Sequence, residues 1–156
     1  MESKLPLRIG VGAIVINKEN KIFVGRRKDH PNNDKWQMPQ GGVNDGENFL
    51  NAVKRELEEE TSIKNIKILK ELEEWTEYEL PDYLLGKIWK GKYRGQKQKW
   101  FILKFTGKDD EINLRTTHPE FIEWKWVSPE KLPNIIVDFK KKLYEKLLLK
   151  IKPFID

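Results

Sequence analysis

Three glutamates, Glu56, Glu59 and Glu60, are spaced so that one helix would carry all three on a single stripe. At about 100° per residue, Glu59 and Glu60 fall within about 60° either side of Glu56. Val53 and Leu57 border that stripe and Glu58 points away from it, so the carboxylates belong at the edge of the buried face. Such a cluster is costly by itself. Like charges three and four residues apart repel by about 0.2–0.5 kcal/mol per pair on an exposed helix, and more when partly buried. Negative charge in the last turns also opposes the helix dipole. A hard divalent ion such as Mg²⁺, bound by one or two carboxylates together with substrate phosphates, removes the conflict. The same stripe also reads as a solvated acidic face balanced by Lys54, Arg55 and Lys64.

The elements that position these groups follow from periodicity. Residues Glu47 to Thr61 are helical in pattern, with Leu50, Val53 and Leu57 on one stripe and Asn44 and Glu47 fitting a capping box, Asp45 being the alternative cap. Ahead of the helix, the apolar run Ile9 to Ile16 reads as a buried strand, with Lys21 to Gly25 as its partner across the turn Asn17-Lys18-Glu19-Asn20. Arg26 to Lys35, with Pro31, reads as a loop, and Trp36 to Pro39 as a short extended segment leading into Gly41-Gly42. After the helix come a strand from Ile66 to Leu72 reaching towards Tyr78, an irregular stretch from Leu80 to Gly95, and strands at Trp100–Thr106 and Phe121–Val127. In the last of these Ile122, Trp124 and Trp126 share a face. A helical turn starts at Ser128-Pro129-Glu130, and a final amphipathic helix carries Ile136, Phe139, Leu143 and Leu147. Strands before, between and after two helices predict an α/β fold with a mixed sheet and a helix on each face.

Composition excludes several chemistries. No cysteine is present, so disulfides, thiolate metal sites and cysteine nucleophiles are ruled out. The apolar run at Ile9–Ile16 is too short to span a membrane and has no cleavage site after it, so a cytoplasmic protein is expected, without membrane contact. The net charge of +5 permits a polyanionic partner. Five Lys and Arg lie between Lys90 and Lys99 with no acidic residue among them, which suits either phosphate or nucleic-acid contact or a solvated loop.

The surroundings of the carboxylates are more specific. Gly41 is followed after five residues by Glu47, after seven more by Arg55-Glu56-Leu57, then by Glu59-Glu60, Thr61, Ser62 and Ile63. This resembles the Nudix box, a loop-helix-loop signature, across residues 41–63. The resemblance extends from about Arg8 to Tyr144. It implies an α/β/α sandwich, a mixed sheet between the box helix and the C-terminal helix, formed as one domain over residues 1–156. It also implies that Glu56, Glu59 and Glu60 bind Mg²⁺, Mn²⁺ or another divalent cation beside Gly41, while Glu47 and Arg55 brace the helix and loop. Arg55 is equally placed for a local pair with Glu59. Gly41-Gly42 lets the backbone turn close to a metal or phosphate. Ser62 stands where the pattern has Gly, and a left-handed backbone there would cost roughly 1 kcal/mol.

Three further stretches resemble diadenosine polyphosphate hydrolases and bacterial RNA pyrophosphohydrolases. They are Trp36-Gln37-Met38-Pro39-Gln40-Gly41-Gly42, Gly95-Gln96-Lys97-Gln98-Lys99-Trp100-Phe101, and Pro119-Glu120-Phe121 followed by Trp124-Lys125-Trp126-Val127. The likeness makes Glu120 a further metal ligand or the general base, with Glu59 and Glu60 as the other catalytic carboxylates and His118 as a competing base. It makes Arg8, Arg27, Gln40, Tyr78, Phe139 and Lys140 contacts for a 5′ triphosphate and its first bases. Arg and Lys suit phosphates, and an aromatic ring can stack a base. Phe139 also fits the apolar stripe of the last helix, and Tyr78 could cap a sheet edge. The reaction implied is metal-assisted hydrolysis, in which a carboxylate takes the proton of a water attacking phosphorus. The expected substrate is triphosphorylated RNA, whose decay would follow loss of pyrophosphate, and the expected enzyme is a monomer. The alternatives are hydrolysis of a diadenosine polyphosphate by the same chemistry, and a non-catalytic RNA-binding module, which would be expected to lack some of the three box glutamates.

Overall fold

The computed structural model describes residues 5–28 and 34–155. Pro31 of the expected loop therefore lies outside the described residues. Two long parallel strands, β1 (Leu7–Ile16) and β6 (Gly95–Phe105), form the middle of a seven-stranded mixed sheet. The other strands are β2 (Ile22–Arg27), β3 (Gln40–Gly42), β4 (Ile66–Glu71), β5 (Thr76–Glu79) and β7 (Phe121–Val127). The main order is β4-β6-β1-β2-β7. Each central strand has two partners along its outer edge. β1 pairs with β3 at Gly10–Gly12 and with β2 at Ile16, while β6 pairs with β5 at Gly95–Gln98 and with β4 from Phe101 to Phe105.

Alternation along the central strands builds two cores, one on each face. Val11, Ala13 and Val15 of β1 and Phe101, Leu103 and Phe105 of β6 pack with Ala52, Val53 and Leu57 of helix α1 (Phe49–Thr61). Ile14, Ile16, Trp100 and Ile102 project to the opposite face, against Leu143, Tyr144, Leu147 and Ile151. Those last four belong to α3 (Lys141–Ile151), which follows the short α2 (Leu132–Ile135). This is the α/β/α arrangement expected from the order of elements.

Several boundaries differ from the sequence expectation. Helix α1 begins at Phe49 because Asn48, not Asn44, accepts the Asn51 N–H at 2.8 Å. Asn44 and Glu47 do bond to each other, but as a turn ahead of the helix. β6 begins at Gly95, five residues earlier than its apolar run, since its first half alternates buried Gln96 and Gln98 with Lys97 and Lys99. The expected Ile66-to-Tyr78 strand is broken at residues 72–75 into β4 and β5. Ile136 and Phe139 precede α3: Ile136 caps α2, and Phe139 lies in a 3₁₀ turn at Asp138–Lys140.

One buried bond fixes the approach to β3. The Met38 N–H donates to the Tyr144 hydroxyl at 2.8 Å, and Pro39 O accepts from Ala13 N–H at 2.9 Å. Helix α3 thereby holds the extended segment that leads into Gln40-Gly41-Gly42.

Candidate active site

Arg55 organises the acidic end of α1. Its guanidinium donates to both oxygens of Glu47, Nε to Oε2 at 2.8 Å and Nη2 to Oε1 at 2.9 Å. It also donates to Gly42 O at 2.9 Å, to Glu56 Oε1 at 2.9 Å and to Glu59 Oε2 at 3.2 Å. One planar cation thus ties the loop before the helix, strand β3 and two of the three box glutamates together. The Arg55 bonds and the Asn44 N–H hold the Glu47 carboxyl down to about 2.

The three glutamates differ in surroundings. Glu59 is exposed. Glu56 is half-buried, and burial pushes its carboxyl up against the opposing pull of Arg55 and Arg8. A Cβ on residue 41 would collide with the Glu56 carboxylate, so its approach to β3 requires the glycine. Glu60 is only 4% exposed, and its Oε2 has no hydrogen-bond partner among the described residues. Burial, then the negative charges of Glu56 and Glu120, push the Glu60 carboxyl well up, opposed by Arg27 and by a hydrogen bond from the Gln40 backbone N–H.

Glu120 comes to this cluster from just before β7. Its carboxylate pairs with Arg27 at 3.3 Å, and its carbonyl accepts the Lys28 N–H at 2.9 Å. His118 is exposed and lines a separate opening with Arg55 and Glu59.

Among the described residues no three acidic or histidine side chains converge as a ready-made cation cage. Arg55 engages Glu56 and Glu59 instead. The donor set still fits a hard divalent ion. It offers carboxylate oxygens on one helix edge, an orphaned buried oxygen on Glu60, and the Gly41 backbone lying directly against the Glu56 carboxylate.

Beside this cluster opens a cavity of about 470 Å³. Arg8, Arg27, Gln40, Tyr78, Phe139 and Lys140, distant in sequence, all line it. Arg8 stands at the junction: its guanidinium lies where a Cβ of Gly42 would be, and its charge is felt by Glu56. Tyr78 is 8% exposed, and its hydroxyl accepts from Gln96 Nε2 at 2.8 Å. Its ring meets Phe139 at 5.8 Å, and Lys140 Nζ lies 4.9 Å from its centroid. Tyr78 and Phe139 therefore pack on each other, and Tyr78 leaves little free surface for a base. Phe139 also packs against the α3-side core, as its place in the apolar pattern implied.

Sequence reasoning missed several cavity residues. Trp36 and Gln37 stand in the entry to the box and Gln96 in a resembling stretch, and neither motif marks them as cavity residues. Tyr83 and Trp89 lie in the wall formed by the irregular stretch. The length of that stretch was the one available signal, since loops of such length are often functional.

A sequence profile described as the NUDIX domain matches residues 6–147. The chain belongs to the Nudix hydrolase family, whose members use divalent cations. Within it, the chain is similar to a protein of Pelagibacter ubique named RNA pyrophosphohydrolase. They are 56% identical over 152 residues, covering 97% of this chain and 96% of the relative. An RNA pyrophosphohydrolase of Rhodospirillum rubrum is 46% identical over 150 residues, covering 96% of this chain and 90% of that one. Among solved structures, a C. elegans Ap4A hydrolase binary complex aligns with a TM-score of 0.70 at 24% identity, covering 95% of this chain and 97% of that one. That likeness is one of fold. No helix among the described residues is long and apolar enough to cross a membrane.

Proposed function

We propose that the protein is an RNA pyrophosphohydrolase that removes pyrophosphate from the 5′ triphosphate end of RNA and so promotes RNA decay, acting as a cytoplasmic monomer. The observation that carries this reading is the junction at Arg8. There a cluster of carboxylates with an orphaned oxygen adjoins a cavity lined by Arg8, Arg27 and Lys140 together with aromatic rings. A triphosphate needs cations along its length, and the nucleoside attached to it needs an apolar wall. The near-complete coverage of relatives named RNA pyrophosphohydrolase supports the same substrate.

Glu56, Glu59 and Glu60, with the backbone at Gly41, would hold Mg²⁺ or Mn²⁺. When bound, the ion would supply positive charge against the phosphate oxygens and favour deprotonation of the attacking water. Glu120 takes the proton of the attacking water, and Arg27 orients it through their ion pair. Arg8 and Lys140 bind phosphate oxygens, Gln40 helps to seat the first nucleoside, Phe139 meets a base beyond it, and Tyr78 supports Phe139. Glu47 and Arg55 keep the loop and helix in register.

The test is conversion of a triphosphorylated RNA to its 5′ monophosphate, with Mg²⁺ and with chelator, by wild type and by Glu120→Ala. The expected result is cation-dependent conversion, with kcat lowered about 10²–10⁴-fold in the variant and KM little changed. A Glu120→Ala enzyme that matches wild type across the pH range moves the base into the box glutamates.

A further inference from the structure

The cavity wall between Leu80 and Arg94 contains a backbone that its sequence does not favour. Trp89, Lys90 and Gly91 take φ values of 51°, 57° and 71° in succession. Glycine enters this left-handed region freely, whereas a side chain as large as Trp does so only at a steric cost. Such costs persist where surrounding contacts over-determine the conformation, and they cluster at ligand clamps.

Here the contacts converge on Arg8. The Arg8 guanidinium carbon lies 5.4 Å from the centroid of the Trp89 ring. Tyr93 supports the same ring edge-on, with centroids 6.2 Å apart. The wall is tied to the chain just ahead of β1, which carries Arg8: Arg94 N–H donates to Pro6 O at 3.0 Å, and Arg94 Nη1 donates to Leu5 O at 2.9 Å. On its other side Arg8 lies against Gly42 of the box strand. The guanidinium is therefore held between an indole face and the backbone of β3, at the passage from cavity to carboxylates.

We infer that Trp89 is a positioning residue for hydrolysis: its ring, presented by the left-handed turn, fixes the Arg8 guanidinium towards the phosphates of the substrate. An arginine side chain has many rotamers, and holding it in one before substrate arrives removes an ordering cost from binding. The face of an indole suits this purpose, because it attracts a guanidinium without neutralising its charge. The inference rests on the reading of Arg8 as a phosphate ligand.

The test compares kcat/KM on a short triphosphorylated RNA for wild type, Trp89→Leu, Trp89→Phe, Arg8→Ala, and Trp89→Leu combined with Arg8→Ala. Circular dichroism and thermal melting check the fold of each. Leucine keeps an apolar wall without a ring face, whereas phenylalanine keeps a face. Trp89→Leu is expected to lose about threefold to thirtyfold, and Trp89→Phe to recover most of it. With Arg8 already removed, Trp89→Leu is expected to change kcat/KM by less than about twofold, because the two residues act as one unit. Equal losses from Trp89→Leu with and without Arg8, or a Trp89→Phe enzyme as impaired as Trp89→Leu, would overturn the inference and leave Trp89 as wall packing. An Arg8→Ala enzyme with unchanged activity would overturn both the phosphate reading of Arg8 and the role of Trp89, while leaving the Glu120 result to stand or fall separately.

Discussion

Glu47 and Glu60 are displaced in opposite directions by their neighbours, and each displacement has a measurable consequence. The Glu47 carboxyl is lowered to about 2 by Arg55 and the Asn44 N–H. Its folded value lies below the unfolded one, so its contribution is complete above the ordinary value of 4.5 and disappears as pH falls towards about 2. Glu47→Gln should therefore melt lower than wild type at neutral pH, with the gap closing as melts are repeated through that window. A gap independent of pH would contradict the Arg55 clamp. Glu60 is the reverse case. Burial raises its carboxyl, so without a cation the folded state loses stability as pH rises through the folded value. Cation-free Glu60→Gln should melt higher than wild type at pH 8, and wild type should gain more in Tm from added Mg²⁺. Identical Mg²⁺ gains would exclude Glu60 as a ligand. That the three glutamates lie on one helix was legible from their spacing alone. Their different exposure was not, because it depends on Arg55 reaching Glu56 and Glu59 while Glu60 turns under β3.

Helix α1 ends at Ser62 with φ 68°, the left-handed conformation that the glycine of the box pattern would adopt without strain. The Ser62 N–H still closes on Glu58 O, and the hydroxyl donates to Asn113 O at 2.8 Å. That bond offsets part of a strain of about 1 kcal/mol. Ser62→Ala keeps the strain and loses the bond, so it should be the least stable of the three residues at this position. It should fall below wild type by about 0.5–1.5 kcal/mol in denaturant melts, with Ser62→Gly within about 0.5 kcal/mol of wild type. A Ser62→Ala protein as stable as wild type would show that the hydroxyl contributes nothing. Lys90, at φ 57° in the cavity wall, offers the complementary case. Lys90→Gly should raise stability by up to about 1 kcal/mol, read from the same melts. At this scale the sequence was informative where apolar periodicity is regular, as in β1 and the body of α1. In β7 a bulge opposite Arg26 and Arg27 breaks the expected face: Phe121 joins Trp124 and Trp126 in the core, and Ile122 is exposed. It was weaker where polar residues are buried. Gln96 and Gln98 conceal half of β6 because amides in a strand look like loop residues until their partners, Tyr78 and Gln40, are placed opposite them. The left-handed turn at Trp89 has no sequence signal, since non-glycine residues enter it only under tertiary constraint.

The fold brings residues from both ends of the chain to one place. The parallel pairing of β1 with β6 sets Arg8 opposite Gln96, and the 3₁₀ turn before α3 delivers Phe139 and Lys140 to the same cavity. The α/β class and the helix on each face could be read from the order of elements. The strand order could not, because pairing between residues some ninety positions apart leaves no local pattern. Residue types suited to phosphate, recognised by likeness at Arg8, Arg27 and Lys140, nevertheless converge in space. The aromatics are less simple, since Tyr78 is packed beneath Phe139. Phe139→Ala should still reduce hydrolysis of a short triphosphorylated RNA more than hydrolysis of a diadenosine polyphosphate, by about fivefold or more if a base beyond the first nucleotide rests on that wall. Equal losses in a folded variant would assign Phe139 to the core alone. The central claim concerns the substrate, and competition in one vessel tests it directly. Purified wild-type protein with Mg²⁺ is given equal concentrations of triphosphorylated RNA and a diadenosine polyphosphate, and the initial rate of loss of each is measured. The predicted result is preferential conversion of the RNA to its 5′ monophosphate, abolished by chelator. Rapid loss of the dinucleotide with the RNA triphosphate left intact would contradict it.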